Sequence, residues 1–423
     1  MICVSTRGKA PAVSLREAVL AGIAPDGGLY VPRTIPRLPT SWWSALRGKS
    51  FHDVSIAVAR QFAGDEFDDA TLTNLVRDAL NFPVRLVQLE KGLGVVELFH
   101  GPTFAFKDFG ARTLARLLSK LRDGSETLTV LVATSGDTGS AVANAFFGVT
   151  GTRVVVLYPE GKVSDVQEAQ FTTLGGNVTA VAVDGTFDDC QRLAKEAFAD
   201  PSLTSRVRLT SANSISLGRL LPQAFYYAYA ALQSPADRTL TISVPSGNFG
   251  NLVAGVMAWK MGAPIHCFRA PTTINDTVPR YFASGRVEPR PSVQTLANAM
   301  DVGNPSNLER LQWLFNGDLA AMKAVITSAR HTDDEVRKAI AMLFEKYSYI
   351  ADPHTAIGYL GLPEKRIGWS LFLATAHPAK FREVVQPAIK KDLPLPDALA
   401  EMLARKKVVQ RIRPELVELS KLL

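Results

Sequence analysis

The sequence predicts an α/β protein of mostly parallel sheets flanked by helices, with a helical N-terminal region ahead of them. Three observations carry that prediction. Short apolar runs alternate with amphipathic helical stretches through the middle of the chain. Two of those runs end in turns of glycine and small hydroxylated residues that lead directly into a helix. Before the alternation begins, residues 1–80 combine helical periodicity with proline-rich interruptions.

In chain order, residues 1–80 are expected to be mostly helical, with Pro32, Pro36 and Pro39 punctuating Val31 to Thr40 and a turn at Asp26-Gly27-Gly28. Strands are expected at Thr127–Ala133, Arg153–Tyr158, Val178–Val183, Leu240–Val244 and Ile265–Phe268. Helical stretches sit between most of them, including Ser140–Phe147, Phe187–Phe198 and Leu252–Met261. Strand, helix, strand at this spacing implies parallel sheets with crossover helices. From about Leu308 the chain reads as mainly helical. At 423 residues it is too long for one small core. The expected units are 1–80, a larger α/β domain from 81–126 plus 206–423, and a smaller α/β domain at 127–205.

Composition is that of a soluble globular protein, 47% hydrophobic and 21% charged, with no apolar run long enough for a membrane span. The start, Met1 to Arg7, lacks the apolar core of a signal peptide. Cys3, Cys190 and Cys267 are too few and too scattered for a disulfide framework or zinc site. A cytoplasmic setting is therefore expected. The net charge of +7 is spread along the chain except in the tail Ala404 to Arg413. That tail alternates with valine and isoleucine and has no aromatic partners, so a solvated face is expected rather than nucleic-acid binding. A mildly positive field also suits an anionic small molecule.

Lys107 is the leading candidate for chemistry. It stands in Phe99-His100-Gly101-Pro102-Thr103-Phe104-Ala105-Phe106-Lys107-Asp108-Phe109-Gly110, ahead of a helix marked by Leu114, Leu117, Leu118 and Leu121. Apolar walls and a helix N-terminus both disfavour an ammonium, and a neutral amine attacks carbonyls. The same segment also fits a lysine snorkelling from a helix start.

The first strand-end turn is Thr134-Ser135-Gly136-Asp137-Thr138-Gly139, which could offer N–H groups and hydroxyls to a carboxylate or phosphate, or be an ordinary capped turn. The second is Ser246-Gly247-Asn248-Phe249-Gly250-Asn251. It lacks both the dinucleotide fingerprint and a P-loop lysine, so a phosphate-bearing cofactor without a second nucleotide fits it better. Such ligands bind where strand C-termini converge. Asn213 and Ser214 with Arg219 could hold a phosphate by hydroxyl and guanidinium fork, or the arginine could cap a surface turn. His354 in Asp352-Pro353-His354-Thr355, like His100 and His377, has no second ligand at metal spacing, so no metal site is expected.

Together these segments resemble the fold-type II pyridoxal-phosphate enzymes (the tryptophan synthase β-like fold), and within them the longer, bacterial branch of the threonine synthase family. The resemblance spans nearly the whole chain and includes Ser5-Thr6-Arg7-Gly8 and Ala24 to Pro32. It implies two open, twisted, mostly parallel sheets, with pyridoxal 5'-phosphate held by the larger domain and the substrate-binding turn carried by the smaller. Lys107 would bond the cofactor. Ser246, Gly247, Asn248, Phe249, Gly250 and Asn251 would cradle its phosphate, and Thr355 would meet its ring nitrogen. Thr134, Ser135, Gly136 and Thr138 would grip the substrate carboxylate, with Asp137 at the cofactor's phenolic oxygen. Many relatives have asparagine at that last position. Two facing anionic oxygens repel, so Asp137 is expected to be protonated or turned away.

The implied reaction turns O-phospho-L-homoserine and water into L-threonine and phosphate, with Asn213, Ser214 and Arg219 on the substrate phosphate. The neighbouring possibilities are a threonine or serine dehydratase of the same fold type and a non-catalytic relative that only binds. No nucleic-acid or membrane partner is expected, and the protein would be a monomer or homodimer.

Overall fold

The computed structural model describes residues 1–122, 127–134 and 136–423. Two sheets dominate it. The larger has six strands in the order Ile326–Thr327, Cys267–Arg269, Leu240–Ser243, Trp369–Ala374, Leu93–Glu97, Arg85–Glu90. All neighbours are parallel except the last pair, a hairpin. The smaller sheet is wholly parallel, in the order Val409–Ile412, Val178–Val183, Thr152–Pro159, Leu128–Ala133, Arg208–Ser211. The expected strands in these regions are all present to within two residues at either end.

Two features depart from the reading of the sequence, and a third, the basic tail, takes the form of a strand with the solvated face expected of it. The first 32 residues carry a three-stranded antiparallel sheet, Val13–Ser14, Ile2–Ser5 and Tyr30–Pro32, ahead of the helices Phe51–Ala63 and Asp69–Ala79. The mainly helical C-terminal third contains Trp369–Ala374, a central strand of the larger sheet. All six of its residues are buried, so it lacks the alternation that marks a half-exposed strand. The basic tail supplies the edge strand Val409–Ile412, and its cations are used locally: Lys407 pairs with Glu168, Arg411 with Glu160 and Arg413 with Glu418. Charged side chains on an edge strand also discourage pairing with another chain. Among the described residues no helix is long and apolar enough to cross a membrane.

The helix Lys107–Leu121 joins the two sheets' territories. It buries Leu114, Leu117, Leu118 and Leu121, as its spacing predicts, and Phe109 packs edge-on against Phe51, Phe82 and Tyr226. Gly110 lies against the short helix Leu217–Leu220; a Cβ there would come within 2.5 Å of the Arg219 carbonyl. That close approach brings Arg219 in beside Lys107.

Candidate active site

A cavity of about 380 Å³ opens where strand C-termini of both sheets converge. Into it come Lys107, from the start of its helix; Thr134, Asp137 and Thr138, from the turn after Leu128–Ala133; and Asn213, Ser214 and Arg219, from the segment after Arg208–Ser211. The whole turn Ser246 to Asn251, after Leu240–Ser243, completes it. Four separate sequence motifs are thus brought to one space. Ser135 lies outside the described residues. Gly136 and Thr355 do not line the cavity.

Lys107 is half-buried because its end opens on the cavity, with the Phe106 ring centroid 6.0 Å from Nζ. Burial lowers its pKa to about 8; Asp137 pulls the value up, while Arg219 and Lys380 push it further down. The expectation of a partly neutral lysine is met, and desolvation is the main cause.

Of the two expected states of Asp137, protonated or turned away from the phenolic oxygen, its surroundings oppose the first. It lines the cavity, and its Oδ1 lies 2.6 Å from Lys380 Nζ and accepts from Gln167 Nε2 at 2.9 Å. Burial pushes its pKa up. The charges of Lys380 and Lys107, with the two hydrogen bonds, outweigh that and hold it well below the ordinary carboxylate range. It is therefore ionised. Sequence reasoning missed Lys380 because its partner is far away in the chain and no motif surrounds it.

The hydroxyl of Thr134 organises its own turn, accepting from the N–H of Gly136 at 2.9 Å and of Gly139 at 2.8 Å. Asn213 Nδ2 donates to the Ala133 carbonyl at 3.0 Å, which ties the third segment to the end of the first strand. Asn248 Nδ2 donates to Ser214 Oγ at 2.6 Å, and Asn248 Oδ1 accepts from the Ser306 N–H at 2.6 Å. The second turn and the Asn213–Ser214 segment therefore form one hydrogen-bonded wall. Behind it Arg310, fully buried, donates to the carbonyls of Tyr30, Ser214 and Ile215 and to Asn307 Oδ1. This arginine, also missed, fastens the wall to the N-terminal sheet. Thr355 donates its hydroxyl proton to Asp352, so at this helix start it is His354 that faces the cavity.

Several groups are left waiting for a ligand. Arg219 is 3% exposed and, among the described residues, donates only through Nη1, to the Ala212 carbonyl at 2.6 Å, its buried Nε having no partner there. Burial lowers its pKa to about 10, against the opposing pull of Asp108. Asn251 accepts on Oδ1 from the hydroxyls of Tyr226 and Tyr227 at 2.7 Å each, and its Nδ2 is buried and unpaired. Gly247 presses against the backbone opposite: a Cβ would come within 2.6 Å of the Met300 Cα. Phe249 takes a left-handed φ of 62° as N-cap of the helix Gly250–Lys260, strain of a kind that clusters where backbone is shaped around a ligand. Orphaned donors, a close-set glycine and a helix start fit a phosphate, and the desolvated lysine fits a carbonyl-bearing cofactor. Among the described residues no cluster of His, Cys, Asp or Glu could hold a metal ion.

Comparison with known proteins gives a consistent result. Three family descriptions match in succession: "Threonine synthase N terminus" at residues 3–80, "Pyridoxal-phosphate dependent enzyme" at 83–368 and "Threonine synthase, C-terminal" at 365–422. The chain is 44% identical to the threonine synthase of Serratia marcescens over 392 residues, 92% of this chain and 91% of that one. It superposes on the crystal structure of threonine synthase from Escherichia coli with a TM-score of 0.94 and 40% identity, covering 100% and 99% of the two chains. The PLP-bound threonine synthase structure from Brucella melitensis gives 0.94 and 38%, covering 100% and 98%.

Proposed function

The chain belongs to the threonine synthase family of pyridoxal-phosphate-dependent enzymes, and on that footing we propose how its residues carry the reaction. The reaction is the conversion of O-phospho-L-homoserine and water to L-threonine and phosphate. Lys107 would hold the pyridoxal phosphate covalently, with Ser246 to Asn251 around the cofactor's phosphate. The observation that carries this assignment is the desolvated Lys107 facing the orphaned donors of Arg219 and Asn251 across one cavity. When bound, the cofactor withdraws electrons from the substrate's α-carbon.

The remaining work falls to the chain. Arg219, with Ser214 and Asn213, would hold the substrate's γ-phosphate by charge and hydrogen bonds. Thr138 and the N–H groups at the start of Asp137–Phe146 would receive the substrate carboxylate. Lys107, once freed by the substrate amine, would take the proton from Cα and one from Cβ as phosphate leaves Cγ, deliver a proton to Cγ to complete the methyl group, and return one to Cα after water has added its hydroxyl at Cβ. A lysine with a pKa near 8 suits that alternation, being able both to accept and to donate near neutral pH. Thr355 would donate to the cofactor's ring nitrogen only by giving up its bond to Asp352, while its oxygen remains able to accept.

We further take 1–80, 81–126 plus 206–423, and 127–205 as the working units, the smaller sheet being completed by Arg208–Ser211 and Val409–Ile412. A cytoplasmic monomer or homodimer with no nucleic-acid partner is the assembly we propose; the local pairing of the basic tail supports the last point. Lys107→Ala tests the reading directly. It should abolish both phosphate release from O-phospho-L-homoserine and the borohydride-trapped cofactor adduct. A variant that keeps either one overturns the assignment of Lys107.

A further inference from the structure

Lys380 sits in the turn Pro378–Phe381 after the central strand Trp369–Ala374, 1% exposed and outside the cavity lining. Its ammonium lies 2.6 Å from Asp137 Oδ1 and donates to the Thr103 carbonyl at 2.9 Å. Thr103 belongs to the Lys107 segment, and its N–H and hydroxyl bond Asp108, the residue after Lys107, at 2.9 and 2.6 Å. Gln170 also donates to the Thr103 carbonyl, at 3.0 Å, and Gln167 from the same helix donates to Asp137 Oδ1. One buried ammonium therefore links the larger sheet, the Lys107 segment and the first turn of the smaller sheet. Asp137 Oδ2 has no hydrogen bond among the described residues.

A buried ion pair is a poor device for stability alone, since packed apolar side chains of the same volume often do as well. We propose that Lys380 is a positioning residue for the chemistry at Lys107: it holds Asp137 as a fixed carboxylate, so that a constant negative charge stands beside the reacting amine. The inference rests on the reading of Lys107 as the cofactor-bonding lysine. Lys107 faces Asp137, Arg219 and Lys380; Asp137 faces Lys380 and Lys107; and Asp108 faces Lys380 and Arg112. Removing Lys380 alone leaves Asp137 with only the Lys107 amine as cation, which tightens the amine's hold on its proton. Removing the Asp137 charge alone leaves two cations facing Lys107 and has the opposite effect. Removing both restores the balance.

The test uses the holoenzyme with Lys380→Met, Asp137→Asn, the double variant and Lys380→Arg. Two readouts are taken: the pH titration of the bound cofactor's absorbance, and kcat/KM for phosphate release against pH. Lys380→Met should move the titration up by about one unit or more, and Asp137→Asn should move it down. The double variant should return towards the parent and exceed Lys380→Met in kcat/KM by about ten-fold, a non-additive result expected of neighbours. Lys380→Arg should retain both properties. Losses that simply add in the double variant, or an unmoved titration in Asp137→Asn, overturn the proposal. Absence of a borohydride-trapped adduct in the parent would instead defeat the reading of Lys107, leaving the two failures distinct.

Discussion

Replacing Arg219 by methionine separates function from stability, because the two should move in opposite directions. The guanidinium is 3% exposed, forms one hydrogen bond, and has no carboxylate within ion-pair distance among the described residues. An unpaired buried cation costs the ligand-free fold, so exchanging it for an apolar side chain of similar length should leave stability unchanged or raise it by about 1 kcal/mol. Towards a phosphorylated substrate the same change removes a desolvated, charge-assisted pair worth about 2–4 kcal/mol, or a factor of roughly 30 to 1,000 in affinity. Denaturant melts of the cofactor-free protein give the first quantity, and KM for O-phospho-L-homoserine gives the second. Inorganic phosphate supplies a third measure. At ten times its dissociation constant it should stabilise the parent by about 1.4 kcal/mol and the variant by much less. A variant that melts several kcal/mol lower with an unchanged KM would show that Arg219 serves the fold and that another group meets the phosphate.

Gly247→Ala should lower cofactor retention, because its Cβ would meet the Met300 Cα at 2.6 Å and the phosphate turn must shift; equilibrium dialysis of the holoenzyme reads the loss. Lys107 is nucleophilic only when neutral. With its pKa near 8, capture of pyridoxal phosphate by the cofactor-free protein should therefore quicken as pH rises through about 8; a rate flat from pH 6 to 9 contradicts that value. Arg310→Met removes hydrogen bonds to the carbonyls of Tyr30, Ser214 and Ile215. It should destabilise the chain by about 3–5 kcal/mol and raise KM through the loosened Ser214, with a smaller change in kcat.

What could be read from the sequence was local. Lys107 with its phenylalanines, the turn at Asp137 and the loop from Ser246 to Asn251 each announce themselves within a dozen residues, since backbone shape and helix starts depend on neighbours in the chain. What escaped was set by distance or by burial. Trp369–Ala374 is covered on both faces and so reads as an undirected apolar run. Lys380 reaches the Thr103 carbonyl across 277 residues, and Arg310 reaches the Tyr30 carbonyl across 280. Nothing beside either cation in the chain marks it as more than a surface charge. Thr355 shows a different limit of reading by motif. Its motif is clear, yet the aspartate three residues earlier claims its hydroxyl, a local competition that motif matching does not weigh.

The charge at the cavity explains why a fold would tolerate such an arrangement. Asp137 is answered by Lys380, and the Asp108 carboxylate by the bonds from Thr103. Lys107 and Arg219 have no ion-pair partner of their own in the described residues, and burial depresses both their pKa values. Lys107 can shed its charge by losing a proton, but the Arg219 guanidinium cannot, so its burial stores free energy that an anionic occupant releases. That release is differential. It favours a ligand carrying phosphate over the same ligand without it, because the latter would leave Arg219 buried and unpaired. Substrate choice and low intrinsic stability of the empty site are then two consequences of one electrostatic arrangement.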